Sequence, residues 1–134
     1  SGVNDEKVLY LESISQGLTR MKKKVGWNHC SGWAGMNLAL NLGAKRIFLI
    51  GFDMNFGKDG EPNWHENIRK VNKNSYSVFL RKQKNIIADF NRLFSDREIF
   101  NCEMPDYESA IQIFPKIKFH ELIQVDEASL LKIQ

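Results

Sequence analysis

Two stretches of this 134-residue chain carry residue types that can do chemistry. One is the turn Asn28-His29-Cys30-Ser31-Gly32; the other leaves the run Ile47-Phe48-Leu49-Ile50 through Gly51-Phe52-Asp53 and goes on to His65. A histidine titrates near neutral pH, so His65 is a candidate general base or acid. Asp53, just past an apolar strand, can accept hydrogen bonds from sugar or ribose hydroxyls, hold a metal, or cap the following turn. The Asn28–Gly32 turn opens a helix. Free amides at a helix start attract an anion, and glycine lets a phosphate or sugar come close. Ser31 can bond the same ligand or simply cap the helix. His29 is the second choice of base, and His120 reads as structural or exposed.

Metal binding has weaker support. Asp53, Asp59, His65 and Glu66 offer ligands but show no recognised spacing. Nucleophilic catalysis has less still, because neither Cys30 nor Ser31 sits in a strand–nucleophile–helix elbow.

The elements that must position these residues come next. Ser31 to Leu42 reads as a helix that is apolar almost all round, with Asn37 and Asn41 at i and i+4 as its polar stripe. Gly43 is placed to end it in the left-handed conformation. Ile47–Ile50 shows no alternation, so both faces are expected to be buried, as in a central parallel strand. Helix start and strand end would then share one edge of the sheet, the edge where α/β proteins bind nucleotides. Asn55 to Asn74 is a long irregular connection of the kind that forms binding loops. Elsewhere, Val8–Leu11 and Arg97–Cys102 read as strands. Phe79–Phe94 reads as one helix with its basic residues on a solvated face. Tyr107–Ile111 and the segment after Asp126 read as further helices. The fold class expected is α/β: one small Rossmann-like parallel sheet flanked by helices, in a single domain. With three or four strands, it would form half of a larger fold, its C-terminal half.

Composition fits a globular domain with a real core: 43% hydrophobic and 26% charged residues, with a formal net charge of +3. That charge suits an anionic ligand but lacks the dense basic patch of a nucleic-acid binder, so no nucleic-acid partner is expected. Met21-Lys22-Lys23-Lys24 reads as a solvated turn sooner than as a phosphate contact. The two cysteines, Cys30 and Cys102, are far apart and suit packing, as in a reducing compartment. No apolar run nears the ~18 residues of a membrane span, and the N-terminus lacks a signal-peptide pattern. A cytoplasmic location is expected.

The block from Ser31-Gly32 through Leu42-Gly43-Ala44-Lys45 to Ile47-Phe48-Leu49-Ile50-Gly51-Phe52-Asp53 resembles a family. These are the flagellin-modification and pterin-diphosphokinase-like proteins of unknown function, many of them phage-encoded. More remotely, it is similar to bacterial lipooligosaccharide sialyltransferases, in which a Thr/Ser-Gly turn and a strand end line the CMP-sugar site. Asn101-Cys102, Asp106, Ser109 and Phe114-Pro115 resemble the tail of the same proteins. The resemblance spans roughly residues 25 to 123. It implies a Rossmann-like fold and a nucleotide or nucleotide-sugar ligand, with a CMP-sugar-like donor as substrate and no certain cofactor. By position it gives ligand contacts to Ser31, Gly32 and Asp53, and matches His65 to a histidine that often follows the block. Two departures stand out. Met54-Asn55-Phe56 replaces the usual tyrosine, and the family's N-terminal glycine-rich nucleotide turn is absent from this sequence.

Three functions follow as expectations. The first is a glycosyltransferase-like enzyme in which His65 deprotonates the acceptor and Asn28, Ser31, Gly32 and Asp53 hold the donor. The second is a non-catalytic nucleotide-binding module. The third is an oligomeric interaction protein, since half a sheet exposes an edge and an apolar face; a homo-oligomer is expected.

Overall fold

The computed structural model describes residues 10–52, 54, 73–103 and 108–122, the side chains of 73–75 aside. Its elements are β1 (Glu12–Ile14), β2 (Lys24–Gly26), α1 (Ser31–Asn41), β3 (Arg46–Ile50), α2 (Lys73–Arg81), α3 (Gln83–Leu93), β4 (Glu98–Glu103) and β5 (Lys116–Lys118). All strand pairing between these elements is parallel. β1 pairs with β2, and a second sheet has the order β3-β4-β5. The chain is therefore a small α/β protein built on parallel sheets, as the alternation of helix and strand predicts.

Helix α1 shows why. Trp33, Met36 and Leu40 recur at helical spacing and are all but fully buried. Burying each is worth roughly 1.5–3 kcal/mol. Its C-terminus is a complete Schellman motif. The Gly43 amide donates to the Leu40 carbonyl (3.1 Å) and the Ala44 amide to the Ala39 carbonyl (3.0 Å), with Gly43 at φ 101°. Only a residue without Cβ takes that conformation without strain. The helix is not apolar-buried all round, however. Leu42 is 74% exposed, and Asn37, on the expected polar stripe, is fully buried.

The register of β3 on β4 sets Ile47 beside Ile99 and Leu49 beside Asn101. Ile47, Leu49 and Ile99 join one core with Trp33, Met36 and Leu40 of α1, Ile86 and Phe90 of α3, and Phe94, Ile111 and Phe114. The alternate residues Phe48 and Phe100 stack on the other face, ring centroids 5.5 Å apart.

Several expectations are corrected. In the described sheet β3 is an edge and β4 is central, and Ile50 is 56% exposed. The first strand among the described residues is Glu12–Ile14; of the expected Val8–Leu11 strand, Tyr10 and Leu11 are not in a strand, and Val8 and Leu9 lie outside the described residues. Lys24–Gly26 is a strand, not only a turn, and so is Lys116–Lys118. The 79–94 helix is two helices, broken at Lys82. Residues 108–111 are not helical; residues 104–107 and those after 122 lie outside the described residues.

Candidate functional site

The turn ahead of α1 is built on Asn28. Its side chain is fully buried and all its bonding is internal. Oδ1 accepts the Gly17 amide at 2.7 Å, and Nδ2 donates to the carbonyls of Gly17 (2.9 Å) and Gly26 (3.1 Å). The two glycines lie so close that a Cβ on Gly26 would fall 1.8 Å from the Gly17 carbonyl oxygen. Asn28 thus ties the end of β1 to the end of β2. Asn28 is expected from the sequence to touch a ligand; in the structure its side-chain donors and acceptor serve the backbone of Gly17 and Gly26. The brace holds Asn28 and His29 in the left-handed region, at φ 50° and 59°. His29 is turned out to solvent, its ring 4.8 Å from that of Trp27.

The helix cap falls one residue earlier than expected. Cys30 is the N-cap and makes no side-chain capping bond; Ser31 is the first helical residue and is exposed. The first helical hydrogen bond runs from the Ala34 amide to the Cys30 carbonyl (3.2 Å), so the amides before it have no partner within the helix.

Gly32 is approached closely, but by a side chain of the protein itself. A Cβ there would lie 2.5 Å from Cζ of Phe52, whose ring also meets Trp33 edge-on at 5.3 Å. The contact also establishes the geometry read from the sequence. The start of α1 and the end of β3 do share the C-terminal edge of the parallel strands. Asp53, the carboxylate expected at this edge, lies outside the described residues, as do His65, Asp59 and Glu66.

A second carboxylate, not anticipated from the sequence, closes the edge from β4. Glu103 is 5% exposed. Its Oε1 accepts the Ser109 amide (3.0 Å) and pairs with Lys116 Nζ (2.9 Å), and its Oε2 pairs with Lys118 Nζ (3.4 Å). Ser109 Oγ in turn donates to the Phe52 carbonyl (2.8 Å), linking the ends of β3 and β4. The Lys116 hydrogen bond is the main force holding the Glu103 carboxyl below its ordinary range, and the Ser109 amide and Lys118 add to it. Lys116 is raised for the same reason. A carboxylate held ionised in this way is a poor proton acceptor at neutral pH, so Glu103 organises the edge rather than serving as a base. Strand alternation could have revealed it: Ile99, Asn101 and Glu103 share the core-facing side of β4, opposite two lysines of β5.

Asn37 and Asn41 brace the same region. Asn37 Oδ1 accepts the Gly26 (2.7 Å) and Thr19 (3.0 Å) amides, and its Nδ2 donates to the Thr19 carbonyl (2.8 Å). Asn41 Nδ2 donates to the carbonyls of Met21 (2.9 Å) and Lys24 (3.0 Å). In contrast, Asn101 is fully buried with neither amide atom bonded, and the Trp33 indole N–H is likewise unpartnered.

The cysteines behave as expected. Both are free, and burial pushes the Cys102 thiol upward, away from nucleophilic character. His120 is exposed. Among the described residues no three His, Cys, Asp or Glu side chains group as metal ligands, and no helix is long and apolar enough to cross a membrane. An apolar cavity of ≈ 300 Å³ lies by Glu98 and Ile99, at the N-terminal end of β4 and away from the edge just described. Comparison of the chain with family models, characterised proteins and solved structures returned no match.

Proposed function

We propose that the chain holds a nucleotide-activated sugar at the C-terminal edge of β3 and β4 and transfers the sugar to an acceptor hydroxyl. The observation that carries the reading is the Gly32–Phe52 contact, which seats the first turn of α1 against the end of β3. Exposed Ser31 and the first-turn amides would meet the phosphate, Asp53 the sugar or ribose hydroxyls, and His65 would take the acceptor proton. Gly32 serves this site by admitting Phe52, not by contacting the donor.

A second reading, a binding module without chemistry, is favoured by one observation. Among the described residues the polar side chains buried at the edge are not poised for proton transfer, since Asn28 is committed to backbone and Glu103 is held ionised; exposed His29 is left as the one candidate there. Calorimetry against a nucleotide and nucleotide-sugar panel, run beside a donor-hydrolysis assay, separates the two. Turnover lost in His65→Ala with donor binding retained supports the transferase. Tight binding without turnover in the unmodified chain selects the module. Turnover unchanged in His65→Ala removes His65 as the base, and a chain that binds no member of the panel removes both readings.

A further inference from the structure

We propose that a phosphate-bearing anion binds in a separate pocket, between the C-terminal ends of β1 and β2 and the α2–α3 junction. The pocket has a volume of ≈ 280 Å³; Gln16 and His29 line it from the strand ends, and Arg81, Lys82, Lys84 and Asn85 from the junction. Among the described residues no carboxylate lines it.

The distribution of charge is the first argument. Most lysines and arginines of the described residues are matched to a carboxylate. Arg20, Lys45 and Arg97 share Asp96, and Lys24 pairs with Glu12, Arg46 with Glu98, and Arg92 with Asp89. Lys116 and Lys118 share Glu103. Among the described side chains, Lys22, Lys23, Arg81, Lys82 and Lys84 are left without one, and the last three gather on this single pocket. A merely solvated face gives no reason for unmatched cations to converge on one concavity.

The second argument is that the lining is held in place. Lys82 Nζ (3.5 Å) and Asn85 Nδ2 (3.2 Å) both donate to Gln16 Oε1, and Asp89 Oδ2 accepts the Leu18 amide (2.8 Å). These bonds tie α3 to the segment leaving β1. From the other side, the Asn28 brace keeps His29 in its left-handed turn. One arginine, two lysines, two carboxamide residues and a histidine therefore line one space. That set matches the several oxygens and multiple charges of a phosphate ester or diphosphate. Pockets for whole small molecules run from about 300 to 1,000 Å³. This one suits the phosphate part of a ligand better than an entire nucleotide sugar. The assignment does not rest on the transferase reading.

The test is titration calorimetry of the whole chain with inorganic pyrophosphate at low ionic strength. The unmodified chain is expected to bind, the Arg81→Ala/Lys84→Ala variant to bind at least tenfold more weakly, and Lys22→Ala/Lys23→Ala, which removes the same charge elsewhere, to change by less than twofold. Equal weakening in both variants, or no binding by the unmodified chain, would overturn the proposal. A readout independent of variant folding is the imidazole spectrum of the unmodified chain. His29 signals should move on adding pyrophosphate while those of His120 hold; movement of both, or of neither, counts against the pocket. A nucleoside without phosphate forms the last arm. Binding of the nucleoside but not of pyrophosphate overturns the pocket and leaves the donor site standing. Pyrophosphate binding beside a failed nucleotide-sugar panel supports the pocket and removes the donor site.

Discussion

Replacing Asn28 by alanine tests the brace between Gly17 and Gly26. The change removes three bonds and leaves the Gly17 amide and the Gly17 and Gly26 carbonyls unmatched at buried positions. An unsatisfied buried group costs about 1–3 kcal/mol, and water entering the gap recovers part of that. Alanine must also take the left-handed backbone at φ 50°, which costs about 1–2 kcal/mol. The expected loss is about 3–5 kcal/mol, a large part of the ~5–15 kcal/mol that holds a domain together. Urea unfolding followed by tryptophan fluorescence reads it well, because Trp33 is fully buried and Trp27 is 44% exposed. With a slope of about 2 kcal/mol per molar, the midpoint should fall by roughly 1.5–2.5 M. Asn28→Gly accepts the left-handed turn and loses only the bonds, so it should fall less far. Asn28→Asp keeps the shape but sets a carboxylate oxygen against two carbonyls, and should be at least as damaging as alanine. A loss under about 0.5 kcal/mol in Asn28→Ala would refute the brace and return Asn28 to the list of ligand contacts.

Gly32→Ala should destabilise by about 1–2 kcal/mol, overpacking against Phe52 outweighing the ~1 kcal/mol gained in helix propensity. In a Phe52→Leu background the penalty should shrink or reverse, and strictly additive effects in urea unfolding would contradict the contact. Glu103→Gln should flatten the acid limb of the stability curve. The folded carboxyl lies below its ordinary value, so its contribution is complete above about pH 4.3 and is lost as pH falls through the depressed folded value. Acid limbs that run parallel in the two proteins would show that Glu103 is not held by Lys116. Asn101→Leu should raise stability by about 1–3 kcal/mol, since the buried amide makes no bond. A drop in melting temperature would instead reveal a bound water or ligand group that uses it.

The parts of the fold legible in the sequence were those with enough residues to show a period and a signal at the end. Helix α1 has three buried apolar residues in register and Gly43 to close it. β3 and β4, at five and six residues, stand out as apolar runs. β1, β2 and β5 have three residues each. Lys24-Val25-Gly26 and Lys116-Ile117-Lys118 present one apolar side chain apiece, too little for an alternation to register; their pairing partners define them. The break at Lys82 was hidden because apolar spacing runs on across it from Phe79 to Phe94. The candidate site was legible as an edge, since helix start and strand end must meet there once the strands are parallel. Which groups at that edge are spent on the protein itself was not.

That last distinction turns on what the three asparagines have in common. Asparagine, serine and glycine before a helix are the vocabulary both of a ligand-binding turn and of a braced one. What separates the two is the demand of the nearby backbone. The segment from Gly17 to Gly26 joins two three-residue strands, and much of its backbone lies beyond the reach of ladder pairing. A buried peptide group must still find a partner. A carboxamide, carrying donors and an acceptor side by side, can satisfy the amide and the carbonyl of one peptide segment from one position. Asn28 does so at Gly17, and Asn37 does so at Thr19. Asn41 supplies carbonyl partners at Met21 and Lys24. Short strands thus create the need that buried asparagines meet. The residues of the turn that this need leaves free, exposed Ser31 and outward-turned His29, are the ones a ligand can use.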